Sequence, residues 1–333
     1  MKEAGTFSHA KLLLGILCSA VFLILVFRDV HWLELGAVLQ TVNWTILLLA
    51  ATAYMLSLLV RGLCWKTLLA HLGPVTSGEA ISYANIGYMA NNLLPLRAGE
   101  VIRATLLGSK RGFNKSAVLA TILLERLLDI LILGVLTILL ALAMPVPQVV
   151  KQIIFWTFGI AFLLLVTIWA VTGSSWRGLS GEWLQVWLDR RAVRMALGLG
   201  QSFTRGLSAI RSPKQGIVAG LYSLLGWILV CGSIYLMMLA SHLRLPWYAA
   251  LLVMVVVNLG SIIPSSPGSI GVVHFLAVAG ISPWPVDREV AVGFSIILHA
   301  LSVIVTVVLG GACLWKQKIV IATVNKAGLE AAD

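Results

Sequence analysis

Three charged residues interrupt an otherwise apolar stretch of the sequence, LLERLLDIL. In a helix, Glu125 and Asp129 share one face because they are four residues apart, and Arg126 can pair with Asp129. Each charge costs roughly 2.5–3.5 kcal/mol at the centre of a membrane helix, so the group should face protein or water. Two interpretations stay open. The trio forms salt bridges that fix helix packing, with Arg97 or Arg103 as partner, or it is a polar lining for a charged headgroup.

A second polar stretch, NNLLPLRAGEVIR at 91–103, carries two more arginines. Arg97 and Arg103 could bind a phosphate through forked, charge-assisted hydrogen bonds. A helix that starts near Gly99 would add amide donors at its positive end. The alternative is that both arginines only hold the segment on the basic side of a membrane. The other candidates for the same site are Asn92, Pro95 and Glu100.

The composition excludes an ordinary soluble protein. Of 333 residues, 59% are hydrophobic and only 11% are charged, with a mean hydropathy of +0.98. Soluble surfaces need far more charge, so the sequence predicts an all-α polytopic membrane protein. The four cysteines have no disulfide or zinc spacing, and no catalytic triad or nucleotide loop is present. We therefore expect no enzyme, no cofactor and no metal.

Apolar runs of about 17 to 25 residues predict the membrane spans. Six runs fit well and are predicted to cross: 12–27, 44–60, 116–144, 152–172, 216–240 and 290–314. Three further segments are short or interrupted by Gly or Pro: 79–95, 247–263 and 269–282.

The basic residues predict the orientation. With six spans, 19 of the 24 Lys and Arg residues fall on the side of the two termini and four on the other, and Arg126 lies within a helix. Cytoplasmic loops retain Lys and Arg, so both termini should be cytoplasmic, in a multi-pass protein of the cytoplasmic (inner) membrane. The net charge of +11 then needs no nucleic acid.

Six spans already place both termini on the same side of the membrane. Each interrupted segment must therefore leave the membrane on the side where it entered. We expect two opposed re-entrant hairpins, with turns at 95–99 and 264–268. Non-helical backbone at membrane depth is tolerated only when it is buried in protein or lines a wet cavity. Two such turns therefore imply a polar cavity.

The two turns also resemble each other. LLPLRAGEV and IIPSSPGSI share two aliphatic residues, a Pro, a Gly and a final aliphatic residue. With their flanking spans they predict an inverted repeat, about 44–144 and about 216–314, with the substrate site between them. Coincidence of common loop residues is the alternative. The second turn contributes four candidates: Pro264, Ser265, Ser266 and Gly268. Its serines offer hydroxyls without charge, and loop chemistry alone also explains them.

The segment 173–214 carries three tryptophans beside seven basic residues. Aromatic and basic residues on an amphipathic helix favour a position on the anionic inner leaflet. A plain solvated connector is the alternative. The whole chain, 1–333, is predicted to form one integral membrane domain.

The stretches NNLLPLRAGEVIR, LLGSKRGFNKSAVLATILLERLLD and IIPSSPGSIGVV together resemble the transmembrane region of the lysylphosphatidylglycerol synthase/flippase proteins, over about residues 10–315. That family includes flippase-like proteins of similar length. Its second turn usually reads Pro-Gly-Gly-Ile-Gly and is followed by Glu. Here Ser269 replaces the second Gly and His274 stands where the Glu is expected. His274 either titrates near neutral pH or is a buried, hydrogen-bonded histidine.

The resemblance implies lipid handling, with membrane lipids, anionic or phosphate-bearing, as partners. Fused family members carry a soluble aminoacyl-transferase domain, for which the 19 residues after the last predicted span leave no room. The leading hypothesis is a flippase-like transporter of an anionic or sugar-linked lipid. The alternatives are an accessory protein that presents lipid to a separate transferase, and a small-solute secondary transporter. The lipid's identity, the transport direction and the oligomeric state stay open.

Overall fold

The computed structural model describes residues 2–94, 98–143, 213–260 and 266–319, and the single residues 148, 152 and 159. Within these ranges the chain forms ten α-helices and one 3₁₀ turn, and no strand. The helices are α1 (Lys2–Phe27), α2 (Trp32–Gln40), α3 (Trp44–Leu69), α4 (Ser77–Leu93), α5 (Gly99–Arg111), α6 (Lys115–Ala143), α7 (Pro213–Ala240), α8 (Trp247–Gly260), α9 (Val272–Ile281) and α10 (Arg288–Lys316), with the 3₁₀ turn at Pro267–Ser269. The predicted α-helical class is confirmed.

Several predicted features lie outside the described residues. They are Pro95, Arg97, Pro264, Ser265, residues 173–212 of the predicted connector, and all but two residues of the predicted span 152–172.

In the part of the chain that the structure describes, three helices are long and apolar enough to cross a membrane: α3, α7 and α10. A fourth span results if α1 from Gly15 onward and α2, which meet at an angle of 87°, are taken together. Helices of 26 to 29 residues exceed the roughly 20 that a hydrocarbon core requires. The protein is therefore an integral, multi-pass membrane protein, and the full set of six spans stays a prediction.

Helix α3 differs from its prediction, because it continues for nine residues beyond the apolar run that ends at 60. Arg61 thus lies inside the helix, and it is buried. A charge is tolerated there because the carboxylate of Asp129 lies 2.5 Å from its guanidinium. At the other end of α3, the side chain of Asn43 caps the helix by accepting a hydrogen bond from the Ile46 amide.

Helices α4 and α5 form a hairpin whose two outer ends meet. Arg111, the last residue of α5, forms an ion pair with Glu79 in the first turn of α4. That hydrogen bond lowers the pKa of the Glu79 carboxyl, which also completes a capping box with Thr76. Near the turn the helices touch, because a Cβ on Gly99 would lie 1.9 Å from the Gly87 carbonyl oxygen. Only glycine permits this approach.

Helices α8 and α9 form a second hairpin, and the rings of Tyr248 and Trp284 lie 6.1 Å apart at its outer end. We call residues 266–271, which precede α9, the second tip, and the turn between α4 and α5 the first tip. Gly268 and Gly271 in the second tip have φ angles of 75° and 88°, which favour glycine. The second tip lies against the end of α4, since a Cβ on Gly268 would lie 3.4 Å from the Asn92 carbonyl oxygen.

Helix packing repeats itself across the two halves. Helix α3 packs on α4, α4 on α5 and α5 on α6, as α7 packs on α8, α8 on α9 and α9 on α10. Contacts between the two halves correspond in the same way. Helix α4 of the first half packs on α10 of the second, and the equivalent helix α8 packs on α6. Likewise α3 packs on α10, and its equivalent α7 packs on α6. Helices α3 and α7 share the most extensive contact and run antiparallel, with the Asn43 amide donating to the Ala240 carbonyl at 2.9 Å.

Large apolar side chains cover the outside of the long helices. Leu48 on α3, Ile138 on α6, Ile228 on α7 and Val308 on α10 are all exposed. A water-soluble protein buries such residues together, whereas lipid solvates them. These exposed apolar faces are typical of the helix surface that lipid chains contact.

Candidate functional site

Three arginines and three carboxylates from α3, α5 and α6 meet in one place, which we call the charge cluster. Its members are Arg61, Glu100, Arg103, Glu125, Arg126 and Asp129. Formal charges balance at three of each sign. A balanced, paired set is the form in which charges are tolerated away from water.

Glu125 is the most deeply buried carboxylate of the cluster and is 1% exposed. Its Oε2 lies 2.9 Å from Arg103 Nη2, and its Oε1 accepts a hydrogen bond of 2.8 Å from the Tyr88 hydroxyl. Arg61 Nη2 and Arg126 Nη2 each lie 3.9 Å from Oε1. Three guanidinium groups therefore surround one buried carboxylate.

Asp129 links the cluster to α7. Its Oδ2 accepts from Arg61 Nη2 at 2.5 Å and from Arg126 Nη1 at 3.2 Å. Its Oδ1 accepts from the Ser223 hydroxyl and the Trp227 indole N–H, both at 3.1 Å. Both oxygens are thus hydrogen-bonded, as burial of a carboxylate requires.

The exposed rim of the cluster is an ion pair between α5 and α6. Arg126 Nε lies 3.1 Å from Glu100 Oε1, and the two side chains are 34% and 25% exposed. By contrast, the side chains of Arg103 and Glu125 are 1% and 2% exposed. A ligand would reach the interior of the cluster past Arg126 and Glu100.

Arg103 has unused hydrogen-bonding capacity. Its Nε, Nη1 and Nη2 are buried and have no hydrogen-bond acceptor in the described part of the chain, because the contact with Glu125 is close but poorly aligned. The guanidinium lies over the rings of Trp65 and Tyr88, at 4.9 and 5.5 Å from their centroids. Buried donors without acceptors are costly, so the position favours an anion.

An apolar crevice of about 310 Å³ adjoins the cluster between α6, α7 and α8. Leu136, Trp227, Tyr235 and Leu251 are among its lining residues. Trp227 belongs to both places, because its indole N–H binds Asp129 and its ring lies 5.0 Å from the Arg61 guanidinium. The polar cluster and the apolar crevice therefore share a wall.

A second polar group lies at the second tip. Ser266 exchanges hydrogen bonds of 2.9 Å with Ser19 of α1, through its hydroxyl and its amide. The Gly268 carbonyl accepts from His299 Nε2 at 2.8 Å, and His274 Nδ1 accepts from a tip amide at 3.3 Å. His274 is buried and hydrogen-bonded, which was one of the two alternatives for this residue.

The predicted site residues thus fall into two groups. Glu100, Arg103, Glu125, Arg126 and Asp129 come together in the charge cluster. Ser266, Gly268 and His274 lie at the second tip, which Asn92 contacts from the end of α4. Gly99 starts α5 and donates its amide to the Asn91 side chain rather than to a ligand. Sequence reasoning missed four members of the site: Arg61, Tyr88, Ser223 and Trp227.

One further group carries side chains of the kind that bind metals. The ligand atoms of His31, Glu34 and Glu289 lie within 4.8 Å of one another. His31 precedes α2, Glu34 lies in the first turn of α2, and Glu289 lies in the first turn of α10. His31 and Glu289 are already joined by a contact of 3.1 Å. The group is largely exposed, and we assign it a packing role between α2 and α10.

Long apolar helices that enclose a buried, balanced charge cluster define a polytopic membrane protein with a polar interior. The model of the family described as the lysylphosphatidylglycerol synthase TM region matches residues 12–310, so the chain belongs to this family.

The chain is also 28% identical over 274 residues to a UPF0104 membrane protein of Methanothermobacter thermautotrophicus. The match covers 76% of this chain and 78% of that protein. No solved structure matches the chain.

Proposed function

We propose that the protein is a flippase-like transporter that moves a lipid with an anionic or sugar-linked headgroup across the cytoplasmic membrane, between two re-entrant hairpins. The observation that carries this proposal is the charge cluster, in which Arg103 has buried donors without acceptors beside an apolar crevice. Such a place suits a molecule with a charged end and an apolar end.

The proposed architecture is an inverted repeat with six spans and two cytoplasmic termini. It is supported by the correspondence between the helix contacts of α3–α6 and those of α7–α10. In inverted repeats the substrate site lies between the halves, near the bilayer midplane, where broken helices meet. The contact between the second tip and the end of α4 fits this place.

The proposed orientation rests on the two ends of the helix bundle. One end carries Lys66, Lys110 and Arg111, and Lys110 reaches Gln317 after α10 at 2.7 Å. The opposite end carries Arg28 and Arg288, both close to Asp29. Lys and Arg are more frequent on the cytoplasmic side of a membrane protein, and the larger number of such residues favours the first end.

The headgroup is expected to enter past Arg126 and to compete with Glu125 for the donors of Arg103. Phosphate offers several acceptors, and guanidinium groups bind it with two parallel hydrogen bonds. Release would return Arg103 to Glu125. The cluster then binds the headgroup with low affinity and can release it, because the carboxylate of Glu125 competes for Arg103.

The crevice between α6, α7 and α8 is expected to hold an acyl chain of the same lipid. Its lining is almost entirely apolar, and it shares Trp227 with the cluster. A small polar solute would gain no hydrogen bonds in such a crevice, so this observation favours a lipid over the small-solute alternative. The chain carries no nucleotide loop, so movement is passive or ion-driven.

Translocation of fluorescent phospholipids by the purified protein in proteoliposomes tests this proposal. Arg126→Gln should slow transport by at least about tenfold, the effect of losing about 1.4 kcal/mol of headgroup binding. Glu125→Gln should also slow transport, because it removes the carboxylate that displaces the headgroup from Arg103. Lys110→Gln at the basic end is the matched control and should transport at the wild-type rate. Wild-type rates in Arg126→Gln, Glu125→Gln and Arg97→Ala together would contradict the residue assignments.

The accessory alternative predicts a different result. A wild-type protein that transports none of the lipids tested, yet purifies with a lipid-modifying transferase, would contradict the transport proposal. It would favour a protein that presents lipid to that enzyme.

A further inference from the structure

We propose that the charge cluster and the apolar crevice bind one lipid in a fixed polarity, with its headgroup toward the basic end of the helix bundle and its acyl chain toward the opposite end. The basic end is the one that carries Lys66 and Lys110. This inference rests on the proposed function, because it states which leaflet supplies the lipid. A lipid of the cytoplasmic leaflet has this polarity.

The crevice runs away from the basic end. On α7 its lining extends from Trp227 to Tyr235, about 12 Å along the helix, toward the end of α7 that meets the start of α3. On α6, which starts beside the end of α5, it includes Leu136, about two turns beyond Asp129 in the same direction. On α8 it includes Trp247, the first residue of that helix. The cluster therefore lies at one end of the crevice and Trp247 at the other.

The side of the crevice is open to lipid. Ile228 and Trp247 are 53% and 59% exposed, and a Cβ added to Gly232 would meet no atom of the described residues within 4 Å. The crevice volume of about 310 Å³ lies within the range of small-molecule sites. In a bilayer these exposed surfaces face hydrocarbon, so an acyl chain can enter sideways without crossing water.

The two ends of the crevice differ in charge. At the cluster end the Trp227 ring lies 5.0 Å from the Arg61 guanidinium, and Arg103 has three buried nitrogens without an acceptor among the described residues. At the far end the basic residue nearest to Trp247 along the chain is Arg244, which is exposed and therefore hydrated. A buried donor without an acceptor gains more from an anion than a hydrated donor does. The headgroup is thus expected at the cluster end.

Trp227 separates the two parts of the bound lipid. Its indole N–H donates to Asp129 Oδ1 at 3.1 Å, which fixes the ring at the edge of the cluster, and the same ring lines the crevice. The headgroup would lie on one side of this ring and the acyl chain on the other. In the proposed orientation the headgroup points to the cytoplasmic side, so the lipid has entered from the cytoplasmic leaflet and has not yet turned over.

Photo-crosslinking in proteoliposomes of the full chain tests this polarity. Two phosphatidic acid probes carry a diazirine, one at the end of an acyl chain and one beside its ester bond, and mass spectrometry locates the crosslinks. The chain-end probe should label Tyr235 and Trp247 several-fold more than Trp227, and the ester probe should show the opposite preference. This order is measured along the protein, so it does not depend on the direction in which the protein inserted. A reversed order would indicate a lipid of the outer leaflet and overturn the inference.

Two glycines of α7 supply a matched control. Gly232→Trp places a large ring in the crevice and should reduce the crosslinks of both probes several-fold. Gly220→Trp adds the same ring to the same helix outside the crevice, and should label like the wild type. At both positions a Cβ meets no atom of the described residues within 4 Å, so neither ring is forced into a packed neighbour. Unchanged labelling in Gly232→Trp would overturn the crevice as the site of the chain.

Transport assays on the same proteoliposomes separate this inference from the proposed function. The expected order of crosslinks without any lipid translocation would contradict the proposed function and leave the binding polarity standing. Translocation together with the reversed order, or with no crosslink in the crevice, would overturn the polarity and leave the proposed function standing.

Discussion

At the scale of single residues, the charge cluster pairs the charges that the sequence places within an apolar helix. Glu125, Arg126 and Asp129 place three charges in the middle of a long apolar helix. Arg61 from α3 and Arg103 from α5 supply the opposite charges, and hydroxyl and indole groups satisfy the remaining oxygens. Nearly every interaction of Asp129 is therefore interhelical.

Asp129→Asn should destabilise the protein strongly. The amide keeps the shape and can still accept from Ser223 and Trp227, but it leaves the buried guanidinium of Arg61 with only the more distant carboxylate of Glu125, at 3.9 Å, as a counterion. Removing one partner of a buried pair costs about 3–5 kcal/mol. Thermal unfolding in detergent should show a clearly lowered Tm, while Asp29→Asn, an exposed aspartate beside Arg28, should unfold like the wild type. Equal melting temperatures for all three proteins would show that the pair carries no stability.

Part of this site can be predicted from the sequence. The trio on α6 is visible because charges are rare in apolar runs, and Arg103 was one of two predicted partners. Arg61 was missed because it directly follows an apolar run and therefore resembles an ordinary topology signal. Trp227 and Ser223 lie about a hundred residues from Asp129, and only tertiary packing brings them together.

At the scale of helices, close approaches decide which surfaces meet. Gly310 on α10 lies against α4, where a Cβ would be 2.4 Å from the Met89 Cβ and 2.9 Å from the Asn85 carbonyl oxygen. Its neighbour Gly311 faces open space. Small residues let membrane helices approach closely, and α4 belongs to the hairpin that positions Arg103's helix.

Gly310→Ala and Gly311→Ala form a matched pair that tests this contact. Gly310→Ala forces α4 and α10 apart, and overpacking of this kind costs about 1–3 kcal/mol. Gly311→Ala should be neutral or slightly stabilising, because alanine favours a helix and meets no neighbour. Thermal unfolding of both variants measures the difference. A Gly310→Ala variant as stable as Gly311→Ala would mean that α4 and α10 are not tightly packed there.

Helix positions were easier to predict than helix directions. The interrupted segments 79–95 and 247–263 became α4 and α8 with ends within three residues, because their apolar character and flanking Pro and Gly residues are local signals. The 87° bend after α1 was not predicted, nor was α2, whose nine residues are too short to register as a span. Directions depend on what a helix packs against, which local patterns do not contain.

At the scale of the whole molecule, the helix contacts of α3–α6 correspond to those of α7–α10. They support an internal repeat that the sequence indicates only weakly. Two turns with a few shared residues gave only a hint of a repeat, whereas packing involves every helix of both halves. Side chains diverge while helix contacts persist, so the repeat is clearer in the fold than in the sequence. Chemistry has diverged as well, since one half carries the charge cluster and the other the two histidines.

Labelling of single cysteines in whole cells tests the proposed orientation. Arg244→Cys lies beyond α7 at the end opposite the basic residues, and should react with a membrane-impermeant maleimide added outside. Lys110→Cys lies at the basic end, where the side chain is 44% exposed, and should react only after the membrane is opened. The opposite pattern would place the termini outside and reverse the proposed direction of both hairpins.

If lipid crosses the membrane between the two tips, then fixing one tip must stop it. The hydroxyls of Ser19 and Ser266 lie 2.9 Å apart, so the pair Ser19→Cys and Ser266→Cys, with the four natural cysteines replaced, is placed to form a disulfide between α1 and the second tip. Lipid translocation in proteoliposomes is measured before and after reduction, with each single variant as a control. Transport should fall to the rate of protein-free vesicles when the disulfide is formed and recover on reduction; equal transport in both states would contradict a path between the tips.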